Sequence, residues 1–255
     1  MFELEWLGGA PEARFRKRRP GIEALPWGTL TGAGIDTAEA RRVWTNGAFT
    51  EYASAAAFTA MAAAFLECGA PIDLTAAASD CATDELFHTE LAARLVMELG
   101  GAWPFDVDLA KVSPVTTPGV RPLVRAAELA VKVSLVGEAL SISALSASKH
   151  AASHPLTRAV LERLLKDEGA HAQVGHWFFE WASERLEAAE RAHLRAVADA
   201  AIAVYAPLWQ QPACERCVLP AEAGGAGDAH RVALGEAVER RVVPSLNRWG
   251  LVPVT

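Results

Sequence analysis

The chain reads as an all-α protein: a four-helix bundle with one long crossover, extended by additional helices toward the C-terminus. Three observations predict this. About a fifth of the 255 residues are alanine, the best helix former and a poor strand former. Two short breaks, at Gly69-Ala70-Pro71 and around Ser153-His154-Pro155, each separate two long helical stretches, as in antiparallel hairpins. Between the hairpins lies one link of roughly twenty residues, AWPFDVDLAKVSPVTTPGVR, long enough to travel the length of a bundle.

The elements follow in order. Residues 1–35 form an N-terminal arm whose basic run, Arg14 to Arg19 (RFRKRR), reads as a solvated charge cluster, with contact to a phosphate or an anionic lipid as the alternative. Asp36 caps the first long helix, with Glu39 in capping-box position, and the pattern runs to about Cys68. The second helix spans about Thr75 to Leu99 and stops at Gly100-Gly101. A third starts at Pro122, a residue suited to a first helical turn, and continues to about Ala151. Ser153 or His154 with Pro155 opens the fourth, which runs to about Glu187. Residues 36–187 thus make the bundle, and 188–255 form a C-terminal helical extension. The extension holds helices from about Ala188 to Tyr205 and from Asp228 to about Leu246, joined through the flexible Gly224-Gly225-Ala226-Gly227.

Composition excludes several classes of protein. With 51% hydrophobic and 22% charged residues the chain is neither disordered nor collagen-like, and four cysteines cannot staple a secreted scaffold of this length. A net charge of −7 and a pI near 5.5 argue against a nucleic-acid partner. No run of about 18 consecutive apolar residues free of charge predicts a membrane span. The N-terminus places acids where a signal peptide carries bases, so the expected location is cytoplasmic.

The chemistry lies in a repeated string. Asp84-Glu85-Leu86-Phe87-His88 in the second long helix matches Asp167-Glu168-Gly169-Ala170-His171 in the fourth. Residues three apart share a helix face, so Glu85 with His88, and Glu168 with His171, each reach one point beside their helix. A carboxylate and an imidazole from each motif suit iron or manganese. A di-metal carboxylate site needs one further Glu from each remaining helix. The third helix offers Glu138, alone in the uncharged run VSLVGEALSISAL, and the first offers Glu51.

Register tests both candidates. Glu138 lies about fourteen residues before the second hairpin loop and Glu168 about thirteen after Pro155, so at ~1.5 Å per residue they reach nearly one height. Glu51 precedes Cys68 by seventeen residues while Glu85 follows Thr75 by ten, a mismatch of about 10 Å that loop geometry and helix overhang would have to absorb. Four bare carboxylates on an alanine-rich interior face would be prohibitive, and two divalent metals would cancel them, moving the formal charge from −7 to −3.

On these motifs the sequence resembles the ferritin-like di-iron carboxylate superfamily, which includes ferritins, rubrerythrins, the ribonucleotide reductase small subunit, multicomponent monooxygenases and p-aminobenzoate N-oxygenase. The likeness covers residues 36–187 and rests on motif and spacing. It implies that Glu51, Glu85 and His88 hold one iron with help from Glu138, while Glu138, Glu168 and His171 hold the other, with manganese or a mixed pair as alternatives. Which carboxylate bridges stays open. In several of these families an aspartate before the metal-binding glutamate accepts a hydrogen bond from the opposing histidine; Asp84 and Asp167 hold that place, with ordinary helix-surface acids as the alternative.

Departures from the pattern narrow the field. Cys214-Glu215-Arg216-Cys217 is one CxxC pair, too few for a rubredoxin site and readable as a redox pair or as two plain thiols. Leu164 stands where the N-oxygenases carry a third histidine, and His176 turns off the ligand face. The additions around the bundle, with Trp209 and Trp249, read as a roof over a substrate pocket or as a subunit interface, and Phe58, Phe65 and Phe87 as pocket lining or core. The resemblance implies a non-haem di-iron oxidase or oxygenase that uses O2, a small organic substrate and an external electron donor, in an assembly that includes a homodimer as one option. The alternative is an iron-handling ferroxidase or peroxide scavenger.

Overall fold

The computed structural model describes residues 4–31, 37–104, 106–211 and 219–251. Among them the secondary structure is entirely helical. A short helix α1 (Gly9–Arg18) precedes four long ones: α2 (Thr37–Glu67), α3 (Ile72–Glu98), α4 (Pro122–Ala151) and α5 (Pro155–Ala182). Then come α6 (Ala188–Tyr205) and α7, which runs from Asp228–Ala237 through a π-helical turn, Val238–Val242, into Val243–Arg248.

Helix ends follow local chemistry. Gly69 takes a left-handed φ of 70°, which lets the Ala70 N–H return to the Phe65 carbonyl at 2.9 Å and turn the chain into α3. The side chain of His154 caps α5, accepting from the Leu156 N–H at 3.2 Å. Glu187 and Glu190 form a reciprocal capping box at α6. Helix α3 begins three residues before its expected start, and α5 ends at Ala182 in a 3-10 turn, Ser183–Arg185, short of Glu187. Asp36, Cys214 and Cys217 lie outside the described residues. Helix α1 is an element the sequence reading left inside the arm.

The four long helices close a ring: α2 packs along α3, α3 against α5, α5 against α4, and α4 back against α2. Two apolar clusters fill it, one around Phe58, Phe65, Phe178 and Leu135, the other around Trp44, Phe87, Leu91 and Leu161. On α3 the first cluster stops at Ala82 and the second starts at Phe87; on α5 the second stops at Leu164 and the first resumes at Val174. The polar strings at 84–88 and 167–171 therefore meet at mid-height, between two dry halves. Leu194 and Val197 of α6, with Leu234 and Leu246 of α7, join the first cluster, so the C-terminal helices share the bundle's core. Phe58, Phe65 and Phe87 are fully buried core residues.

Helix α4 is the one described helix long and apolar enough to cross a bilayer. Its apolar surface packs into the ring, and it widens to π geometry between Ala130 and Glu138. There the Ser134 hydroxyl donates to the His171 carbonyl at 2.7 Å and accepts from the Gly175 N–H at 2.8 Å, reaching across to both ends of one rung of α5.

Two segments cover the open side between α2 and α4. The crossover is pinned to α2, where Arg41 donates to the carbonyls of Gly101 (2.5 Å) and Ala102 (2.9 Å), and to α4, where Glu128 accepts from the Thr117 N–H at 2.9 Å. The turn 219–224 is clamped by three hydrogen bonds: Trp44 Nε1 to the Ala223 carbonyl (2.8 Å), Thr157 Oγ1 to Glu222 (2.6 Å), and the Ser153 N–H to Ala221 (3.0 Å). A Cβ on Gly225 would fall 1.6 Å from the Leu219 carbonyl oxygen, so only glycine closes this turn.

Candidate metal centre

Glu85, His88, Glu168 and His171 meet in the middle of the ring, all buried, each with a ligand atom within 4.8 Å of the others. The arrangement is nearly two-fold. Glu85 lies between the imidazoles, with Oε1 3.0 Å from His171 Nδ1 and Oε2 3.5 Å from His88 Nδ1. Glu168 spans them the other way, with Oε1 3.5 Å from His88 Nδ1 and Oε2 3.7 Å from His171 Nδ1. Both rings therefore turn Nδ1 inward and Nε2 outward. The outer nitrogens face aspartates from the opposing helix: His88 Nε2 lies 3.3 Å from Asp167 Oδ2, and His171 Nε2 3.5 Å from Asp84 Oδ2. An imidazole that gives its Nε2–H to a carboxylate leaves the Nδ1 lone pair for a metal.

The other two candidates flank this quartet, outside its 4.8 Å envelope. Glu51 Oε2 approaches His88 Nδ1 at 3.7 Å, and its side chain keeps 17% of its surface exposed. Buried Glu138 faces Glu168, Glu85 and His171. Glu51 thus lies beside His88, and Glu138 beside Glu168, Glu85 and His171. The 10 Å register mismatch foreseen for Glu51 shrinks because α3 starts at Ile72, which leaves sixteen residues from Glu51 to the helix end and thirteen from Ile72 to Glu85.

Electrostatics mark the centre as unfinished without cations. Burial pushes Glu51 up to about 8, with the Glu85 charge adding to it against the pull of His88. Glu138 is driven well above the carboxylate range by burial and by Glu168 and Glu85. Burial alone would raise Glu85 too, but the two imidazoles overcome it and hold that carboxyl down at about 2. Both histidines are raised, since Asp167, Glu51 and Glu85 around His88, and Asp84, Glu168 and Glu85 around His171, outweigh the burial that disfavours their charged form. Even so, the inward-facing Glu85 Oε2, Glu168 Oε2 and both Nδ1 atoms are buried with no hydrogen-bond partner, as is the outward-facing His171 Nε2. Buried polar atoms are rarely left so, and four of them converging on one point fit cations.

Beside the centre lies a cavity of ≈ 570 Å³, with Glu51 and Glu138 in its wall. Its remaining surface is mostly apolar. Trp44 and Ala57 come from α2, Val133 and Leu140 from α4, and Val112 and Pro114 from the crossover. Tyr205, Leu208 and the clamped turn from Leu219 to Gly224 close it from the C-terminal side. The volume lies within the range of small-molecule sites.

Sequence reasoning missed three contributors. Arg163 pairs with Asp167 one turn along α5, a spacing visible in the string. Ser134 carries no local signal, and neither does Arg19, which leaves the supposedly solvated basic run to pair with Asp84. Arg16 of the same run pairs with buried Glu90. His176 accepts from Trp249 Nε1 at 3.1 Å, away from the ligands. Comparison of the chain with protein-family models, curated proteins and solved structures finds no match. What this site is rests on its own geometry: a buried Glu/His/Glu/His cluster that can hold a pair of metal ions.

Proposed function

We propose that the chain is a non-haem di-iron oxidase or oxygenase built on a ferritin-like four-helix bundle, acting on a small organic molecule with O2 and an external electron donor. The observation that carries this reading is the half-open, mostly apolar cavity whose wall contains Glu51 and Glu138, one from each half of the centre. A protein that only stored or oxidised iron has no use for an organic-sized chamber beside the metal.

In this reading Glu85 and Glu168, each lying between the two imidazoles, would serve both ions, with Glu51 and His88 on one side and Glu138 and His171 on the other. Asp167 holds the His88 ring from behind by a hydrogen bond, and Asp84 faces His171 Nε2 at 3.5 Å from the corresponding place. Two bound iron ions would supply the redox capacity to reduce O2. Glu51 and Glu138 both border the chamber, so a substrate seated there would lie against one carboxylate from each half of the centre. The crossover and the 219–224 turn supply further apolar lining, which would limit water around a bound substrate.

Anaerobic Fe(II) loading followed by metal counting tests the reading. Two Fe per chain, lost in Glu168→Ala and His171→Ala, with O2-dependent product from a neutral small-molecule panel, is the expected result. Uptake well below two Fe per chain overturns it. Rapid oxidation of free Fe(II) by a large assembly, with no organic product, would replace it with an iron-handling role.

A further inference from the structure

The two halves of the centre match in their ligands but not in what holds them. Asp167, behind His88, is backed by Arg163, one turn earlier on the same helix and also lying 4.6 Å over the Phe87 ring. Helix α5 therefore brings the whole backing with it. Asp84, behind His171, is backed by Arg19, which belongs to the N-terminal arm. Arg19 also donates to the Asp80 carbonyl at 3.0 Å, so its guanidinium bridges two successive turns of α3. Among the described residues no other arginine or lysine pairs with Asp84.

Beyond Arg19 the arm is anchored by buried Ile22 and Leu30, which join the second apolar cluster, so the lightly held part is helix α1 on the other side of Arg19. Helix α1 has no fully buried residue; its attachments are the Arg16–Glu90 pair and the approach of Phe15 to Phe87 at 6.4 Å between ring centroids. A carboxylate whose cation is removed is free to turn toward water, and Asp84 keeps 17% of its side-chain surface exposed.

We propose that Arg19 is a positioning residue for one half of the metal centre: by orienting Asp84 it fixes His171, so that the His171 position depends on the docked arm while the His88 position does not. This rests on the reading of the cluster as a metal-pair site. Removal of a group that orients a ligand typically costs about 10–100-fold in metal affinity. The effect should fall on one ion of the pair.

The test is an anaerobic Fe(II) binding isotherm on the full chain. Wild type should take up two Fe. Arg19→Gln should keep the first at wild-type affinity and weaken the second about 10–100-fold. Arg19→Lys, which keeps a cation beside Asp84, should recover most of the loss. Arg14→Gln, an exposed cation on the same arm, should change nothing. In an Asp84→Asn background Arg19→Gln should add no further loss, which separates positioning from a general effect on the fold. Thermal midpoints of the metal-free variants check that each is folded. Two ions bound with wild-type affinity in Arg19→Gln, or both weakened equally, would overturn the proposal while leaving the metal centre standing. A wild-type chain that bound no pair would bring down both.

Discussion

Gly175→Ala probes how closely α4 and α5 must approach to build the site. A Cβ there would sit 2.8 Å from both Ser134 Cβ and Oγ and 3.0 Å from Leu135 Cδ2, where carbon atoms prefer about 3.5–4.0 Å. Ser134 is fully buried and tied to the His171 carbonyl and the Gly175 N–H, so it has no flexible end to move aside. Overpacking of this kind costs about 1–3 kcal/mol, and two short contacts to a Cβ and its hydroxyl put the cost near the top of that range. Alanine's better helix propensity returns about 1 kcal/mol. A net loss of about 2 kcal/mol lowers the thermal midpoint by about 4–8 °C in a chain of this size. The strain falls one turn from His171 on α5 and one turn from Glu138 on α4, so pushing the helices apart should also weaken metal uptake. Gly169→Ala is the internal control, since a Cβ there meets nothing within 4 Å, and it should gain about 1 kcal/mol. Ser134→Gly in the Gly175→Ala background should restore much of the loss. Differential scanning calorimetry decides the matter; a Gly175→Ala protein as stable as wild type, with undiminished metal content, would refute the reasoning.

Metal uptake should release protons, because His88 and His171 are raised, against their burial, by neighbouring carboxylates, while burial raises Glu138 and holds Glu51 up at about 8; a raised group that carries its proton must lose it to ligate. Apparent affinity should accordingly climb as pH rises toward 8, and a pH-stat titration that finds less than one proton per metal pair would contradict this. Glu128→Ala should cost about 1–3 kcal/mol in urea unfolding, since it strands the Thr117 N–H and His193, which now bond Glu128 at 2.9 and 2.6 Å. Gly225→Ala should open the chamber's closed end, seen as increased amide exchange over residues 219–224 and quencher access to Trp44, with the quartet's metal stoichiometry intact.

Much of this was legible in the sequence. The alanine excess and the Gly/Pro punctuation placed the ends of the four long helices to within five residues, because helix breaking is local chemistry. The Asp-Glu-x-x-His repeat located the quartet for the same reason: a three-residue spacing fixes a helix face whatever the tertiary context. Glu51 was harder, since its height depends on where α3 begins, and a shift of that start from Thr75 to Ile72 moves the register by about 4.5 Å. Arg19 and Ser134 were invisible because their partners lie on helices distant in sequence. The cavity was equally hidden, as it depends on how far α4 stands from α2 and on where the 219–224 turn lands.

The bond from Trp44 to the Ala223 carbonyl ties positions 179 residues apart. Contacts of that separation carry a large loop-closure entropy and form late. On the ribosome the string at 84–88 and its partner at 167–171 are both made well before residue 223 emerges, so the two motifs can meet while the side of the bundle facing the chamber still lies open to solvent. That wall of the chamber is added only when residues 219–224 have been made and fold back onto the first long helix.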